Sequence, residues 1–213
     1  CRTYDLAPVQ AQMAAMFDQI GGLRRLVKGK TVAVKLNMTG GVGGRFQGLP
    51  AERTYQENPA VVLALAHLLR GAGAKRIRFL ESGYSRQPFY ELMPNAGWDL
   101  NAIRAAGANV EFEDTRNLGQ GKRYSQLRVP GGGYIFPYYM LNHSYEDTDV
   151  YVSLAKLKNH ATAGVTLSLK NSFGITPNSL YGSDAGSEDA RRAREAILHS
   201  GRRKAPAGVP ALS

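Results

Sequence analysis

The chain has almost no sulfur for metal or disulfide chemistry and no long hydrophobic run. Its 213 residues include a single cysteine, Cys1, so no internal disulfide and no all-cysteine zinc or iron–sulfur site can form within them. No stretch approaches the roughly 18 apolar residues that a membrane-spanning helix needs, so no membrane span is predicted. The cofactor therefore stays unknown, and any iron–sulfur cluster would have to come from outside this chain.

The N-terminus also lacks the charged and apolar pattern of a signal peptide. Residues 1–4 resemble the end of a strand without its beginning, so we expect a truncated N-terminal strand. An upstream signal peptide would then lie outside the sequence. We accordingly expect a soluble protein, with a cytoplasmic and an exported location both open.

Short motifs for metal binding and nucleophilic catalysis are missing. The four histidines have neither H-x-x-x-H nor H-E-x-x-H spacing, so the sequence predicts no metal site. Ser153 and Lys156 match S-x-x-K, but the S-D-N and K-T-G boxes that accompany it are absent. Gly40–Gly44 could present backbone N–H groups to an anion, yet no Gly-Lys-Ser/Thr follows to make a Walker A motif. A mobile surface loop or lid explains these glycines equally well.

Positive charge dominates the sequence. Lysine and arginine total 27 against 17 aspartates and glutamates, which gives a formal net charge of +10 and favours anionic partners. Residues 151–183 contain Lys156, Lys158, His160 and Lys170 without one Asp or Glu. Because surface segments usually mix charges of both signs, this segment indicates a site for an anion.

Hydrophobic patterns alternate between strands and helices along the chain. They predict strands over 30–36, 75–80, 108–113 and 148–154, and helices over 8–20, 58–71 and 98–106. A glycine-rich loop is predicted over 38–57 and a hairpin over 122–136. This alternation indicates an α/β fold with a doubly wound, mostly parallel, Rossmann-like sheet and helices on both faces. We expect one ligand-binding domain over 1–182, followed by a basic, poorly packed tail over 183–213.

The ligand site of such a sheet lies beyond the carboxyl ends of its strands. The predicted binding residues follow those ends or belong to the segment after the last strand: Lys35, Asn37, Glu81, Ser82, Lys156, Lys158, Thr166 and Asn171. The predicted catalytic residues are His160 and Lys170. His160 is the candidate general acid or base because it is the one histidine at a predicted ligand-facing strand end.

Each of these residues also has a structural alternative. Lys35 could be an edge lysine whose ammonium reaches out to solvent. His160 could cap the turn after its strand, and Glu81 with Ser82 could be an ordinary polar pair at a helix start.

Two blocks of sequence carry a family resemblance. Lys156-Leu157-Lys158-Asn159-His160, with Gly164–Asn171 and Phe173-Gly174, resembles the signature K-x-K-x-H…G-x-T-x-x-x-K-N-x-F-G of the bacterial domain-of-unknown-function 362 family. Val32–Asn37 is similar to that family's first internal strand, which ends in Lys-x-Asn. The segment from Asn58 to Gly83 resembles its next unit. The resemblance implies an α/β fold and a site containing these lysines, and it implies no particular activity.

A second, shorter resemblance involves His160–Gly164 and Lys170. Their spacing is similar to the His/Lys pair of lactate-racemase-type nickel-pincer enzymes. That resemblance implies that Lys170 holds a cofactor covalently and that His160 contacts its metal. The Gly-Gly that precedes the lysine in those enzymes is Ser168-Leu169 here.

Two classes of function fit these observations. One is an enzyme that binds an anionic small molecule or nucleotide-like cofactor for redox or isomerisation chemistry, with or without a separate redox partner. The other is a non-catalytic domain that binds phosphate groups or nucleic acid, for which aromatic residues should alternate with basic ones. The aromatic residues instead cluster between 134 and 145, which is more typical of a pocket wall and favours the enzyme.

Overall fold

The computed structural model describes residues 3–107, 109–117, 124–133, 136–160, 163–187 and 189–190. The helices are α1 (Leu6–Gln19), α2 (Arg24–Val27), α3 (Ala51–Thr54), α4 (Pro59–Gly71), α5 (Phe89–Leu92), α6 (Leu100–Ala106), α7 (Ser168–Ser172) and α8 (Asn178–Tyr181). The strands are β1 (Thr31–Lys35), β2 (Arg45–Phe46), β3 (Leu49–Pro50), β4 (Arg76–Glu81), β5 (Val110–Asp114), β6 (Tyr124–Arg128), β7 (Tyr138–Asn142), β8 (Val150–Ser153), β9 (Lys158–His160) and β10 (Gly164–Thr166).

The central sheet consists of β5, β4, β1 and β8 in that order, with every neighbouring pair parallel. Val32 in β1 is opposite Ile77 in β4 on one side and Val150 in β8 on the other. Four of the five residues of β1 are buried, as expected for a strand whose two faces are both covered. The predicted parallel α/β sheet is therefore confirmed. Because the chain runs from β1 to β4 to β5 and then returns beside β1, the strand order reverses at β1.

Helix α4 is the best-defined helix of the core, and it begins where the sequence predicts. The side chain of Asn58 accepts a hydrogen bond from the amide of Ala60 at 3.0 Å, and Pro59 occupies the first turn. Val62, Leu65 and Leu69 are fully buried. Removal of one such side chain from water contributes about 1.5–3 kcal/mol to folding, so this face of α4 fixes the helix to the sheet.

Several predicted boundaries and core positions differ from the structure. Helix α1 begins at Leu6, before Pro8. The helical spacing of its apolar residues predicts a core face that includes Met16 and Ile20, yet these are 58% and 55% exposed. Only Val9 of this helix is buried, because α1 covers the core with a narrow face against α4. His67 lies within the largely apolar helix α4, and its side chain is exposed.

The loop regions contain more regular structure than the sequence suggests. The loop predicted over 38–57 includes the hairpin β2–β3 and helix α3. The predicted hairpin over 122–136 exists as β6 and β7, but its second strand lies further along the chain, at 138–142. Helix α6 begins at Leu100, two residues later than predicted, because the Asp99 side chain caps it by accepting from the amide of Ala102 at 2.9 Å.

The chain beyond Ser183 is described as far as Ala190. Ala190 is buried, and its carbonyl accepts a hydrogen bond from Arg116 Nη1 at 3.3 Å. Asp189 forms an ion pair of 3.5 Å with Arg86. The predicted boundary at residue 182 stays a prediction, and residues 191–213 of the predicted tail lie outside the described residues. At the other end Thr3 and Tyr4 form no strand. Within the described residues, no helix is both long and apolar enough to cross a membrane.

Candidate functional site

The carboxyl ends of β1 and β8 bring most of the predicted site residues to one edge of the sheet. Lys35, the last residue of β1, is paired with Ser153, the last residue of β8. On its other side β1 neighbours β4, which ends at Glu81. The hairpin β9–β10 and helix α7 follow β8 directly. These connections bring the segment after β8, with its lysines, over the end of β1.

A buried ion pair lies beneath this edge. Lys35 is 1% exposed, and its ammonium is 2.6 Å from Glu81 Oε1 and also donates to the carbonyl of Leu36 at 2.6 Å. Glu81 accepts two further bonds, from the amides of Met38 and Ser82, each at 2.9 Å. The alternative of a solvent-reaching Lys35 is therefore wrong. Its charge is balanced by a carboxylate that is fully hydrogen bonded, which suits a pair that joins the ends of β1 and β4.

Gly174 leaves room for this pair. A Cβ atom at position 174 would lie 3.0 Å from both Cε and Nζ of Lys35 and 3.8 Å from Glu81 Oε1. A side chain there would push against an ammonium that is held on several sides. This contact gives a physical reason for glycine after Phe173 in the signature segment.

Asn171 connects α7 to both strand ends. Its Nδ2 lies within hydrogen-bonding distance of the carbonyls of Lys35 and Leu154, at 3.3 and 3.1 Å, and of Ser153 Oγ at 3.1 Å. Its Oδ1 accepts from Asn37 Nδ2 at 3.0 Å. Asn171 and Asn37, both predicted to bind a cofactor, are thus bonded to each other, and Asn171 is also bonded to the backbone of the site.

Lys156 and Lys158 carry the uncompensated positive charge. Lys156 Nζ donates to the Tyr4 hydroxyl and to the carbonyl of Glu52. Lys158 Nζ donates to Thr39 Oγ1 at 3.2 Å and to the carbonyl of Tyr55. Within the described chain neither ammonium forms an ion pair with a carboxylate. Both side chains are half-buried, so they are positioned by neutral oxygen atoms and still reach solvent.

The hairpin β9–β10 places His160 and Thr166 with Lys158. Lys158 is directly opposite Thr166 in the antiparallel pair. Side chains two residues apart in a strand point to the same face, so His160 shares this face with Lys158 and Thr166. His160 Nδ1 accepts from the amide of Ala163 at 3.2 Å, which matches the turn-capping alternative. That bond requires a neutral imidazole to carry its proton on Nε2.

Lys170, the second predicted catalytic residue, lies in α7 one residue before Asn171. Its ammonium is 5.0 Å from the centre of the Phe173 ring, within the range of a cation–π contact. The side chain is half-buried. Lys170 therefore belongs to the same edge of the molecule as the other lysines, on the helix that Asn171 fixes.

Glu57, which the sequence patterns do not single out, is the most unusual ionisable group here. It precedes the cap residue of α4, is 3% exposed, and donates its backbone amide to the carbonyl of Asn37 at 3.2 Å. Burial raises the pKa of Glu57 from 4.5 to about 8, although the charges of Lys156, Lys158 and Lys35 oppose the rise. Its Oε1 has no hydrogen-bond partner within the described residues.

The same burial acts on Lys158 in the opposite sense. Loss of solvation lowers its pKa from 10.5 to about 8. At neutral pH, Glu57 is then mostly uncharged and Lys158 mostly charged. The only feature of the sequence that could have pointed to Glu57 is its position directly before Asn58-Pro59, at the end of the loop that follows β1.

Ser82 contributes to a second buried polar cluster. Its Oγ accepts from the amide of Asn178 at 3.0 Å, at the start of α8. Nearby, Arg116 is fully buried and forms a 2.9 Å ion pair with Asp114. Arg116 also donates to the carbonyls of Ser85 and Gln87. Because Arg116 bonds both the Asp114 carboxylate and these carbonyls, the cluster is a structural anchor for the loops after β4 and β5.

Two of the aromatic residues predicted to wall a pocket, Phe136 and Tyr139, are in contact with each other. The Phe136 ring centre is 5.4 Å from that of Tyr139, which is 6.1 Å from that of Tyr181. Tyr181 is fully buried and forms a small second core with Tyr139, Met140 and neighbours. This packing accounts for these rings without a ligand; Tyr134 lies outside the described residues.

Metal ligands do not gather at the lysine-rich edge. Across the described ranges, no group of three or more His, Cys, Asp or Glu side chains could hold a metal ion. The oxygen and nitrogen atoms that do gather belong to lysines, amides and hydroxyls. The fold and this site together define a parallel α/β domain whose strand ends carry lysines around two buried carboxyl groups, those of Glu57 and Glu81.

Comparison with known proteins agrees with the signature. The family model described as "Domain of unknown function (DUF362)" matches residues 32–201, and the chain belongs to this family. It is also 28% identical over 210 residues to the "Thylakoid-associated protein sll1697" of Synechocystis sp. (strain ATCC 27184 / PCC 6803 / Kazusa). That alignment covers 96% of this chain but 58% of the relative, so the chain spans little more than half of that protein. No solved structure matches. The resemblance to lactate-racemase-type enzymes stays a prediction.

Proposed function

We propose that this domain binds an anionic small molecule or nucleotide-like cofactor at the carboxyl ends of β1 and β8. The observation that carries the proposal is the bonding of Lys156 and Lys158, whose ammonium groups donate to neutral oxygens and not to carboxylates. A half-buried cation without a counter-ion lowers its free energy by binding an anion. Lys35 differs from them because Glu81 already neutralises it.

The topology supports the same location. In a doubly wound sheet, the crevice for a ligand opens beyond the carboxyl ends at the point where strand order reverses. Here the reversal occurs at β1, between β4 and β8. Both β1 and β8 lead directly into the segments that carry the lysines and Glu57. The site is Rossmann-like in this topological sense.

Proton transfer is the chemistry that these groups favour. Lys158 and Glu57, with pKa values of about 8, each change charge close to physiological pH, which suits a general acid or base. His160 lies on the Lys158 face of β9 and adds a third such group. We propose an enzyme in which these groups move a proton on a bound anion, as redox and isomerisation reactions require. Lys170 would hold the anion or cofactor.

A non-catalytic domain for phosphate groups or nucleic acid is the second candidate. The net charge of +10 favours it, since charge alone supports non-specific binding to a polyanion. Phe136 and Tyr139, which belong to the aromatic cluster of the sequence, however pack in the second core, whereas stacking on bases requires exposed rings. We therefore place the enzyme first.

Isothermal titration calorimetry at pH 7 and low salt tests the proposal with inorganic phosphate, pyrophosphate, ATP and a 20-nucleotide single strand. The Lys156→Ala and Lys170→Ala variants should each weaken binding of the small anions by about tenfold to 150-fold, the equivalent of about 1.5–3 kcal/mol for a hydrogen bond to a charged group. Lys75→Ala, at a lysine preceding the opposite end of β4, is the matched control.

Thermal unfolding of each variant separates binding from folding. The proposal expects melting temperatures close to that of the parent chain, because these ammonium groups are half-exposed. Loss of folding in both variants, with unchanged anion affinity in the protein that remains folded, would show that the lysines are structural. Equal weakening by Lys75→Ala, with the single strand bound most tightly, would favour the polyanion candidate.

A further inference from the structure

We infer that the anion bound at this edge carries at least two hydroxyl groups, as a polyol phosphate or a sugar acid does. The inference rests on the proposed function and specifies its ligand class. It comes from three buried oxygen atoms that have no hydrogen-bond partner within the described chain: Asn37 Oδ1, Glu57 Oε1 and Thr166 Oγ1. Buried polar atoms are almost always paired, so three unpaired ones near one site indicate missing hydrogen-bond partners, which for Asn37 and Glu57 are donors.

Each of the three residues is connected to Lys158 through neighbouring contacts. Asn37 and Glu57 are joined through their backbones, since the Glu57 amide donates to the Asn37 carbonyl at 3.2 Å. Asn37 Nδ2 and Lys158 Nζ both donate to Thr39 Oγ1, at 3.4 and 3.2 Å. Thr166 is opposite Lys158 across the hairpin. An anion held by Lys158 would therefore have these oxygens as its neighbours.

The missing donors belong to a neutral group. A metal cation would meet the positive charges of Lys35, Lys156 and Lys158, all of which act on Glu57. The ammonium group of a ligand would meet the same repulsion. A hydroxyl can donate to the amide or carboxyl oxygen and can also accept from Thr166 without adding charge. With the proton of the neutral Glu57 carboxyl on Oε2, its Oε1 and Asn37 Oδ1 both need a donor. One hydroxyl donates a single hydrogen bond, so the two oxygens together require two.

The anionic part of the ligand has a separate set of contacts. Lys156 and Lys158 form no ion pair with a described carboxylate, and they approach the site from the segment between β8 and β9. The charged group is thus expected at the lysines and the hydroxyl groups at the oxygens deeper in the site. Simple anion binding requires only the lysines, whereas this inference also requires contacts between ligand hydroxyl groups and the buried oxygens.

Calorimetry with two matched ligand pairs tests the inference: propyl phosphate against glycerol 3-phosphate, and propionate against glycerate. In each pair, charge type and chain length are similar and the second member adds two hydroxyls. We expect the hydroxylated member to bind at least tenfold more tightly. In Thr166→Val and Glu57→Leu, which remove the hydroxyl and the carboxyl group but no lysine, the preference should fall below threefold. Thr54→Val, outside the site, should retain it.

The outcomes separate this inference from the proposed function. Equal affinity within both pairs, abolished by Lys156→Ala, would overturn the hydroxyl inference and leave the anion site intact; buried water would then satisfy the three oxygens. No binding of any of the four ligands would overturn both. Because the comparison of paired ligands needs only the parent chain, it remains decisive even if either oxygen-removing variant fails to fold.

Discussion

The buried carboxyl of Glu57 makes a prediction about stability that needs no ligand. Its folded pKa of about 8 lies above the unfolded value of 4.5, so the folded chain holds a proton that the unfolded chain releases between these values. A raised folded pKa contributes stability that is fully present below pH 4.5 and is lost as pH rises through about 8. Relative to low pH, this shift lowers the free energy of unfolding by about 3 kcal/mol at pH 7 and by about 5 kcal/mol at pH 9, because the unfolded chain has released its proton.

Glu57→Gln removes the titration and keeps the shape of the side chain. Relative to the parent chain, its gain in unfolding free energy should grow with pH, by about 3 kcal/mol between pH 4 and pH 7. In a domain of this size, 1 kcal/mol shifts the melting temperature by about 2–4 °C. The advantage of Glu57→Gln over the parent chain should therefore increase by about 6–12 °C from pH 4 to pH 7. Urea unfolding at pH 4, 7 and 9 measures it, with the exposed Glu91→Gln as control. A stability difference that is the same at all three pH values would refute the burial argument.

Three further changes have defined outcomes. Anion affinity, measured by calorimetry from pH 6.5 to 9.5, should fall as pH rises through about 8. Burial lowers the pKa of Lys158 to about 8, so the lysine loses its charge in this range. An affinity that does not change with pH would contradict the role of Lys158. Gly174→Ala should cost about 1–3 kcal/mol in urea unfolding, because its Cβ would press on Lys35. A neutral result would mean that Lys35 adjusts freely. Arg116→Met should cost about 3–5 kcal/mol by leaving Asp114 buried without its partner, and a loss under 1 kcal/mol would show that water reaches the carboxylate.

The sheet was predictable because its signals are local. The β-branched run that becomes β1, and the Asn58-Pro59 start of α4, each depend on a few adjacent residues, and both are confirmed. The exposed face of α1 was not predictable. Met16 and Ile20 fit the helical spacing of a core face, but how much of that face is covered depends on α4, which comes some 40 residues later in the chain.

The sequence was sufficient to predict which lysines lie at the candidate site, but not how their charges are balanced. The topology rule places Lys35, Lys156 and Lys158 together, and the structure does bring them to one edge. The sequence could not show that Lys35 has a buried carboxylate partner, because Glu81 is 46 residues away from it. Nor could it show the raised pKa of Glu57, since a pKa shift caused by burial depends on packing from several segments.

The lysines of this edge therefore differ in the groups that accept their hydrogen bonds. Lys35 donates to a carboxylate in a dry, closed arrangement, and its removal should damage the fold before it affects any ligand. Lys158 donates to a hydroxyl and a carbonyl beside a carboxyl that is neutral at pH 7. An anion that binds there would favour the charged lysine and the protonated carboxyl together, so binding near pH 8 should take up protons. A site with this property couples ligand charge to proton position, which is the requirement for moving a proton on a bound anion.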